Sequence, residues 1–164
     1  MRFIDENVNA KQLSPLNLAF VGDAIYEILV REMLVCNANR PVNDLHRESV
    51  KYVSAQAQTA AFEKIKDILT EEETAQFKRG RNAKVGHSPK SATDAEYHTA
   101  TGMEALFGYL YLTEQHSWMT QLISTLKALL MALLLKAVKA KALTSSLVQA
   151  SLSQVLKNRS LATL

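Results

Sequence analysis

The sequence has few of the residues that cross-link, interrupt or export a chain. A single cysteine, Cys36, excludes an internal disulfide framework and a cysteine-ligated zinc cluster, and it favours a reducing compartment. Three prolines and five glycines among 164 residues leave room for long uninterrupted helices. The start, MRFIDENVNAKQ, lacks the basic and apolar regions of a signal peptide. We therefore expect a cytoplasmic protein.

Long hydrophobic runs and nucleotide-binding motifs are also missing. The longest apolar run, Ala128 to Leu135, is flanked by lysines and is far shorter than the roughly 20 residues that span a membrane. Neither of the glycine-rich phosphate-binding motifs, G-x-x-x-x-G-K-[ST] and G-x-G-x-x-G, occurs in the sequence. The four histidines also lack the spacing of metal ligands. The sequence therefore predicts no membrane span, no nucleotide cofactor and no zinc site.

The residues that are abundant favour an all-α fold. Ala, Leu, Lys, Glu and Gln dominate over β-branched and aromatic residues, and 48% of the chain is hydrophobic. Residues 113–164 carry six Lys or Arg and one acid, which gives +5, so residues 1–112 carry −2 of the total +3. We predict one domain over residues 1–112, and a C-terminal helical extension over residues 113–164 that packs on this domain or on a partner subunit.

The first strong helix is predicted to begin at Ser14-Pro15. The serine can cap the free N–H groups, and proline suits the first helical position. Apolar residues cover almost the whole circumference of this helix up to about Val35. This pattern predicts a central helix that is buried on all sides.

Two capping boxes, the cap pattern of Ser146 and Gln149, and helical apolar spacing define the other predicted helices. In each box, a threonine and a glutamate three residues later satisfy each other's exposed backbone N–H groups. The predicted helices are residues 43–69 with a break near Ser54, Glu71 to Lys78, Thr93 to Leu112, Met119 to Val138, and a last helix that starts at Ser146.

Two carboxylates lie in the most apolar parts of the chain. Asp23 is in the middle of the first helix, and Glu104 is in the sequence TGMEALFGYLYL. A buried carboxylate needs a cation, a metal or several donors to replace its hydration. Gly22 adjoins Asp23 and Gly108 follows Glu104 by one turn, which is understandable if the two backbones approach closely. We therefore expect the carboxylates to converge.

Converging carboxylates with no histidine or cysteine nearby suit Mg²⁺, which prefers oxygen ligands. An ion at this position can orient water and stabilise charge on a phosphodiester, so the pattern indicates phosphate chemistry. Asp23 and Glu104 are accordingly the candidate catalytic and metal-binding residues. The alternative is two structural ion pairs, between Asp23 and Arg31 or Arg47 and between Glu104 and a lysine.

A basic stretch without acidic residues extends from Thr74 to Thr93. Such clustering suits a polyanion, although many basic runs are only solvated surface. The loop from Lys78 to Lys90 within it contains no aromatic residue that could stack on unpaired bases. Contact with the nucleic-acid backbone, which is how double-stranded RNA is mostly recognised, fits this loop better. The candidate RNA-binding residues are Lys78, Arg79, Arg81, Asn82, Lys84 and Lys90.

Four segments, in order, resemble the ribonuclease III catalytic domain, and most of all its small bacterial branch, Mini-ribonuclease III. Two of them carry the candidate acids: LAFVGDAIYEILVREML resembles the signature helix and ATGMEALFGYLYL resembles the second acidic helix. The other two are NDLHRESVKYVSAQAQ and EEETAQFKRGRNAK. The resemblance covers about residues 13–112.

The resemblance implies a homodimeric all-α endonuclease that cuts double-stranded RNA with Mg²⁺ and leaves 5′-phosphate and 3′-hydroxyl ends. It implies that Asp23 and Glu104 are the acidic positions and that Lys78 to Lys90 is the RNA-contacting loop. The substrate associated with this branch is the precursor of the large-subunit (23S) ribosomal RNA.

Two departures from the larger ribonuclease III enzymes affect the expected activity. Those enzymes have acids where this sequence has Ala19 and Thr101, so fewer direct metal ligands are expected here. A catalytically silent protein that binds structured RNA is therefore an alternative function. A third hypothesis is an interaction module in which the Met119 to Val138 helix binds a partner.

Overall fold

The computed structural model describes residues 2, 4, 6–84, 92–125 and 127–128. Every regular element in these residues is helical, which confirms the predicted all-α class. The chain divides into two compact units, residues 1–126 and residues 127–164. Only two residues of the second unit, Lys127 and Ala128, belong to the described part.

Five α-helices and two short 3₁₀ turns form the described fold. The turns are Ala10–Gln12 and Lys66–Ile68, and residues 116–125 are helical as well. The α-helices are α1 (Pro15–Asn37), α2 (Val42–Val53), α3 (Ala55–Ile65), α4 (Glu71–Arg81) and α5 (Asp94–Leu112).

Side-chain caps fix most of the helix starts where the sequence predicts them. The Ser14 hydroxyl accepts from the Asn17 N–H at 3.1 Å, and both predicted capping boxes, at Thr70 and Thr93, are present. At Ser54 the backbone leaves the helical region, with ψ of 151°, and its hydroxyl accepts from the N–H of Ala57. The predicted break near Ser54 is confirmed, because this serine ends α2 and caps α3.

The central helix of the fold is α5. It packs most extensively against α1, and also against α4 and α3. Met103, Leu106, Phe107 and Leu110 are fully buried, and the Phe107 ring meets the Tyr26 ring edge-on with centroids 5.0 Å apart. The α5 helix thus forms the axis around which the other helices are arranged.

The expectation that the first helix is buried on all sides is wrong. Among the described residues, α1 contacts α5, α2 and α4, which cover one of its sides and leave apolar side chains on another exposed. The Phe20 side chain is 84% exposed. The other exposed large apolar residues of α1 are Leu16, Ile28 and Val35.

The basic region begins inside a helix. α4 continues to Arg81, three residues beyond the predicted end at Lys78. Residues 85–91, including Lys90, lie outside the described residues, as do the helix predicted from Ser146 and the predicted Met119 to Val138 helix beyond residue 128.

The segment after α5 contributes to the same core. Met119, Leu122 and Ile123 are buried in it, within the helical residues 116–125. No helix in the described part of the chain combines the length and apolar character needed to cross a membrane.

Candidate active site

The backbones of α1 and α5 touch where they cross. A Cβ atom added to Gly22 would lie 1.7 Å from the carbonyl oxygen of Glu104, and one added to Gly108 would lie 2.0 Å from that of Leu18. Neither space can hold a methyl group, because the atoms it would meet are backbone. The predicted close approach of the two helices at these glycines is confirmed.

This crossing brings the two acidic side chains together. Asp23 directly follows Gly22, and Glu104 precedes Gly108 by one turn. Partial burial raises the pKa of Glu104 to about 7, and the nearby Asp23 carboxylate adds to the rise. The Glu104 carboxyl is therefore close enough to Asp23 for the charge of Asp23 to affect its protonation.

The two acids differ in exposure. The expectation that Asp23 is buried is wrong: it is exposed, because it lies at the edge of the uncovered side of α1. Partial desolvation by neighbouring groups and the charge of Glu27 still raise its pKa. Glu104 is half-buried on α5. In this pair, the Glu104 carboxylate is held within the fold and the Asp23 carboxylate is accessible to solvent.

The proposed ion pairs of Asp23 with Arg31 or Arg47 are not formed. Arg31 pairs with Glu27 at 2.6 Å, and Arg47 pairs with Asp44 at 2.5 Å. Among the residues that the structure describes, no lysine or arginine lies within ion-pair distance of Asp23 or Glu104. Two carboxylates are held together with no cationic side chain from this part of the fold.

A glutamine that the sequence analysis missed contacts this pair. Gln58 on α3 is buried, and its amide nitrogen donates to Glu104 Oε1 at 3.4 Å and to the Val53 carbonyl at 3.2 Å. The same face of α3 carries Phe62 and Ile65, which pack in or against the core. The sequence signal that could have identified Gln58 is its polar side chain at a position where the helical spacing of α3 otherwise has apolar core residues.

The donor set suits a hard divalent cation. Two carboxylates without nitrogen or sulfur ligands match the preference of Mg²⁺, which keeps several of its water ligands. In the described residues no group of three or more acidic, histidine or cysteine side chains could hold a metal, so the protein would supply few direct ligands. At one of the positions where larger enzymes have an acid, the Thr101 hydroxyl is buried and donates to the Tyr97 carbonyl at 3.0 Å.

The candidate RNA-binding residues at the end of α4 do not all have the same environment. Lys78, Arg81, Asn82 and Lys84 are exposed. Arg79 is partly buried and donates to the carbonyls of Lys11 and Leu13 and to the Gln76 side chain. The Arg79 guanidinium therefore ties α4 to the segment before α1.

Comparison with known proteins assigns the family. The Ribonuclease III domain model matches residues 16–115, which include both acids and the described basic residues. The chain belongs to the ribonuclease III domain family. Members of this family are endoribonucleases that act on double-stranded RNA and generally depend on a divalent metal.

Similar proteins within the family carry the name Mini-ribonuclease 3, which confirms the resemblance seen in the sequence. The one from Thermoanaerobacter sp. (strain X514) is 52% identical over 100 residues, 61% of this chain and 70% of the relative. The one from Symbiobacterium thermophilum is 48% identical over 115 residues, 70% of this chain and 88% of the relative.

A solved structure shares the fold. The crystal structure of a protein from Fusobacterium nucleatum is 31% identical and has a TM-score of 0.65. The match covers 72% of this chain and 94% of the other.

Proposed function

We propose that this endoribonuclease cuts double-stranded RNA at the Asp23 and Glu104 pair with Mg²⁺ as its cofactor. The observation that carries the proposal is the backbone contact at Gly22 and Gly108, which brings together two carboxylates that no described cationic side chain neutralises. Holding two anions in this way costs free energy unless a ligand compensates for it.

The two carboxylates have different tasks in this site. Glu104 is fixed by its half-buried position on α5, so it sets where the positive charge is held. Asp23 is exposed and faces the solvent from which the RNA arrives. When bound, Mg²⁺ supplies positive charge that stabilises the phosphodiester as negative charge develops on it. The expected products carry 5′-phosphate and 3′-hydroxyl ends.

The end of α4 and the three residues after it, together called the basic end of α4, are the proposed contact for the RNA backbone. Lys78, Arg81 and Lys84 present exposed positive charges, Asn82 adds a hydrogen-bonding group, and Lys90 is the remaining proposed contact. We leave Arg79 out of the direct contact set, because its guanidinium already donates three hydrogen bonds within the protein.

The uncovered side of α1 is proposed to form a homodimer interface. Leu16, Phe20 and Ile28 follow one another at multiples of four residues, so they form one exposed apolar stripe. A second copy would bury this stripe against its own, since a two-fold interface uses the same patch on both subunits. Asp23 lies beside the stripe, so each dimer would carry two acidic pairs and cut both strands of one duplex.

Replacement of Phe20 tests the dimer. Phe20→Asp places a charge in the centre of the stripe and should convert the protein to a monomer in analytical ultracentrifugation. Ile68→Asp is the matched control, because Ile68 is also an exposed apolar residue but is not on α1. A Phe20→Asp protein that sediments as a dimer would contradict the proposed interface.

The start of the C-terminal extension is proposed to complete the same domain. The burial of Met119 and Leu122 in the core supports packing of residues 113–125 on this domain. We propose the precursor of the large-subunit (23S) ribosomal RNA as the substrate, which the resemblance to Mini-ribonuclease III implies, and the cytoplasm as the location, because a single cysteine suits a reducing compartment.

A catalytically silent RNA-binding protein is the second candidate function. The observation that favours it is the reduced acid set, with Ala19 and Thr101 where larger enzymes have carboxylates and no cluster of three ligands among the described residues. Retention of both Asp23 and Glu104 favours the enzyme, because a protein that only binds RNA gains nothing from two converging anions.

Cleavage of a fully paired RNA duplex separates the two candidates. The wild-type protein and Glu104→Ala are incubated with the duplex, with Mg²⁺ and with a chelator, and single-stranded RNA of the same sequence is the substrate control. We expect duplex cleavage that requires both Mg²⁺ and Glu104. Binding without cleavage by the wild type would instead support the silent RNA-binding protein.

A further inference from the structure

Gln58 contacts Glu104 from α3, so three helices, α1, α3 and α5, contribute side chains to the acidic site. Only 2% of Gln58 is exposed, and its amide nitrogen is shared between Glu104 Oε1 and the Val53 carbonyl. Val53 is the last residue of α2, so Gln58 connects the end of α2, the start of α3 and the carboxylate on α5.

The other end of the Gln58 side chain has no partner. Its Oε1 atom is buried, and no donor reaches it in the described structure. An unpaired buried acceptor opposes folding. The amide is therefore poorly suited to a purely structural task, whereas a donor aimed at Glu104 is useful to a carboxylate that must keep one orientation.

We propose that Gln58 is a positioning residue that fixes the Glu104 carboxylate for the divalent cation. The proposal rests on the proposed function of the Asp23 and Glu104 pair. Groups that hydrogen-bond to a metal-binding carboxylate orient it, and their loss commonly weakens metal affinity by about 10- to 100-fold. With Gln58 in place, the carboxylate of Glu104 does not have to be ordered when the cation binds.

Gln58→Met is the variant that tests this role. Methionine has a similar length and fills the same space, but it cannot donate to Glu104. Gln76→Met is the matched control: Gln76 is also buried, on α4, but its side chain accepts from Arg79 and does not contact the acidic pair.

Metal affinity is measured without RNA, by electron paramagnetic resonance of Mn²⁺ as the probe ion, and thermal unfolding is recorded in parallel. We expect the Mn²⁺ dissociation constant to rise by about tenfold in Gln58→Met and to stay within about twofold of wild type in Gln76→Met. The Mg²⁺ concentration for half-maximal cleavage should rise with it, while duplex affinity in the absence of divalent ions should not change.

A second measurement uses the wild-type fold. The Gln58 side-chain amide signals in ¹⁵N NMR spectra should shift when Mg²⁺ is added, and those of Gln76 should not. The role of Gln58 alone would be overturned if Gln58→Met had the Mn²⁺ affinity of wild type. It would also be overturned if the Gln58 signals did not shift although the wild-type protein binds Mg²⁺. A wild type that binds no Mn²⁺ would overturn the proposed function together with this role.

Discussion

The acidic crossing of α1 and α5 and the basic end of α4 place charge in opposite ways. At the crossing, touching backbones fix two carboxylates that lack a cationic partner among the described residues. At the end of α4, Lys78, Arg81 and Lys84 are exposed, and the fourth cation, Arg79, is used to hold the fold together. This difference fits the proposed division of tasks, in which the fixed pair of carboxylates acts on one phosphate and the exposed cations attract the whole duplex.

The largest expected effect separates cleavage from binding. Glu104→Gln and Asp23→Asn should each slow duplex cleavage by about a thousandfold or more, because the cation loses a charged ligand and each factor of ten corresponds to 1.36 kcal/mol. Duplex affinity, measured by fluorescence anisotropy without divalent ions, should stay within about twofold.

Glu32→Gln is the matched control for these acidic variants. Glu32 is an exposed acid on α1 and has no role in the proposed site. The Glu32→Gln protein should therefore cleave the duplex at the wild-type rate. Equal losses of binding and cleavage in Glu104→Gln would show that the crossing and the basic end of α4 do not have separate tasks.

The stiffness of the crossing can be tested by adding one methyl group. Gly22→Ala should lower the free energy of unfolding by about 3 kcal/mol or more, since the new Cβ would meet the Glu104 backbone. Ala60→Gly, at an exposed position inside α3 and away from the crossing, should cost only about 1 kcal/mol of helix propensity. Urea denaturation measures both, and a Gly22→Ala protein as stable as wild type would disprove the contact.

The two acids, which form no ion pair with a cation of the described residues, should make the metal-free protein less stable as the pH rises. The pKa of about 7 keeps a proton on Glu104 in the folded protein up to about pH 7, whereas the unfolded chain releases that proton near the ordinary glutamate pKa of 4.5. Stability should therefore fall between about pH 4.5 and pH 7, by about 3 kcal/mol in total. The raised pKa of Asp23 acts in the same direction.

Chelator-treated protein, unfolded with urea at several pH values, measures this dependence. Glu104→Gln should remove most of it, and Mg²⁺ should counteract it in the wild type. Replacing Lys78, Arg81 and Lys84 should leave the pH dependence of stability unchanged. A stability that rises from pH 5 to pH 7 and is unaffected by Glu104→Gln would contradict the description of the pair.

The smallest expected effect concerns the basic end of α4. Replacing Lys78, Arg81 and Lys84 together with alanine should weaken duplex binding by about tenfold and reduce the slope of log affinity against log salt by up to about 3. Stability should change little, because these side chains are exposed.

Arg79→Ala should behave in the opposite way. It should lower the melting temperature, because two backbone carbonyls and the Gln76 side chain lose a donor, and it should leave the salt slope unchanged. A triple variant that keeps both its affinity and its salt slope would remove the basic end of α4 from the RNA contact.

Local signals in the sequence were sufficient to predict the helix starts. The caps at Ser14, Thr70 and Thr93 depend on residues within one turn, and the break at Ser54 has the same origin. The helix contact at Gly22 and Gly108 could also be predicted, because two glycines in apolar helices suggest close packing.

Features that depend on distant parts of the chain could not be predicted. The exposure of Asp23 is decided by which side of α1 the other helices cover, and composition does not contain that information. The two backbone carbonyls that accept from Arg79 are 66 and 68 residues away in sequence, and Gln58 reaches a carboxylate 46 residues away. Such contacts follow only from the arrangement of the helices.

The most direct test of the acidic pair as the catalytic metal site is the anomalous scattering of Mn²⁺ in crystals of the protein. The predicted result is a peak that both Asp23 and Glu104 contact directly or through one water molecule, and that disappears in Glu104→Gln. A peak elsewhere in crystals of a protein that cleaves RNA, with none at this pair, would contradict the assignment.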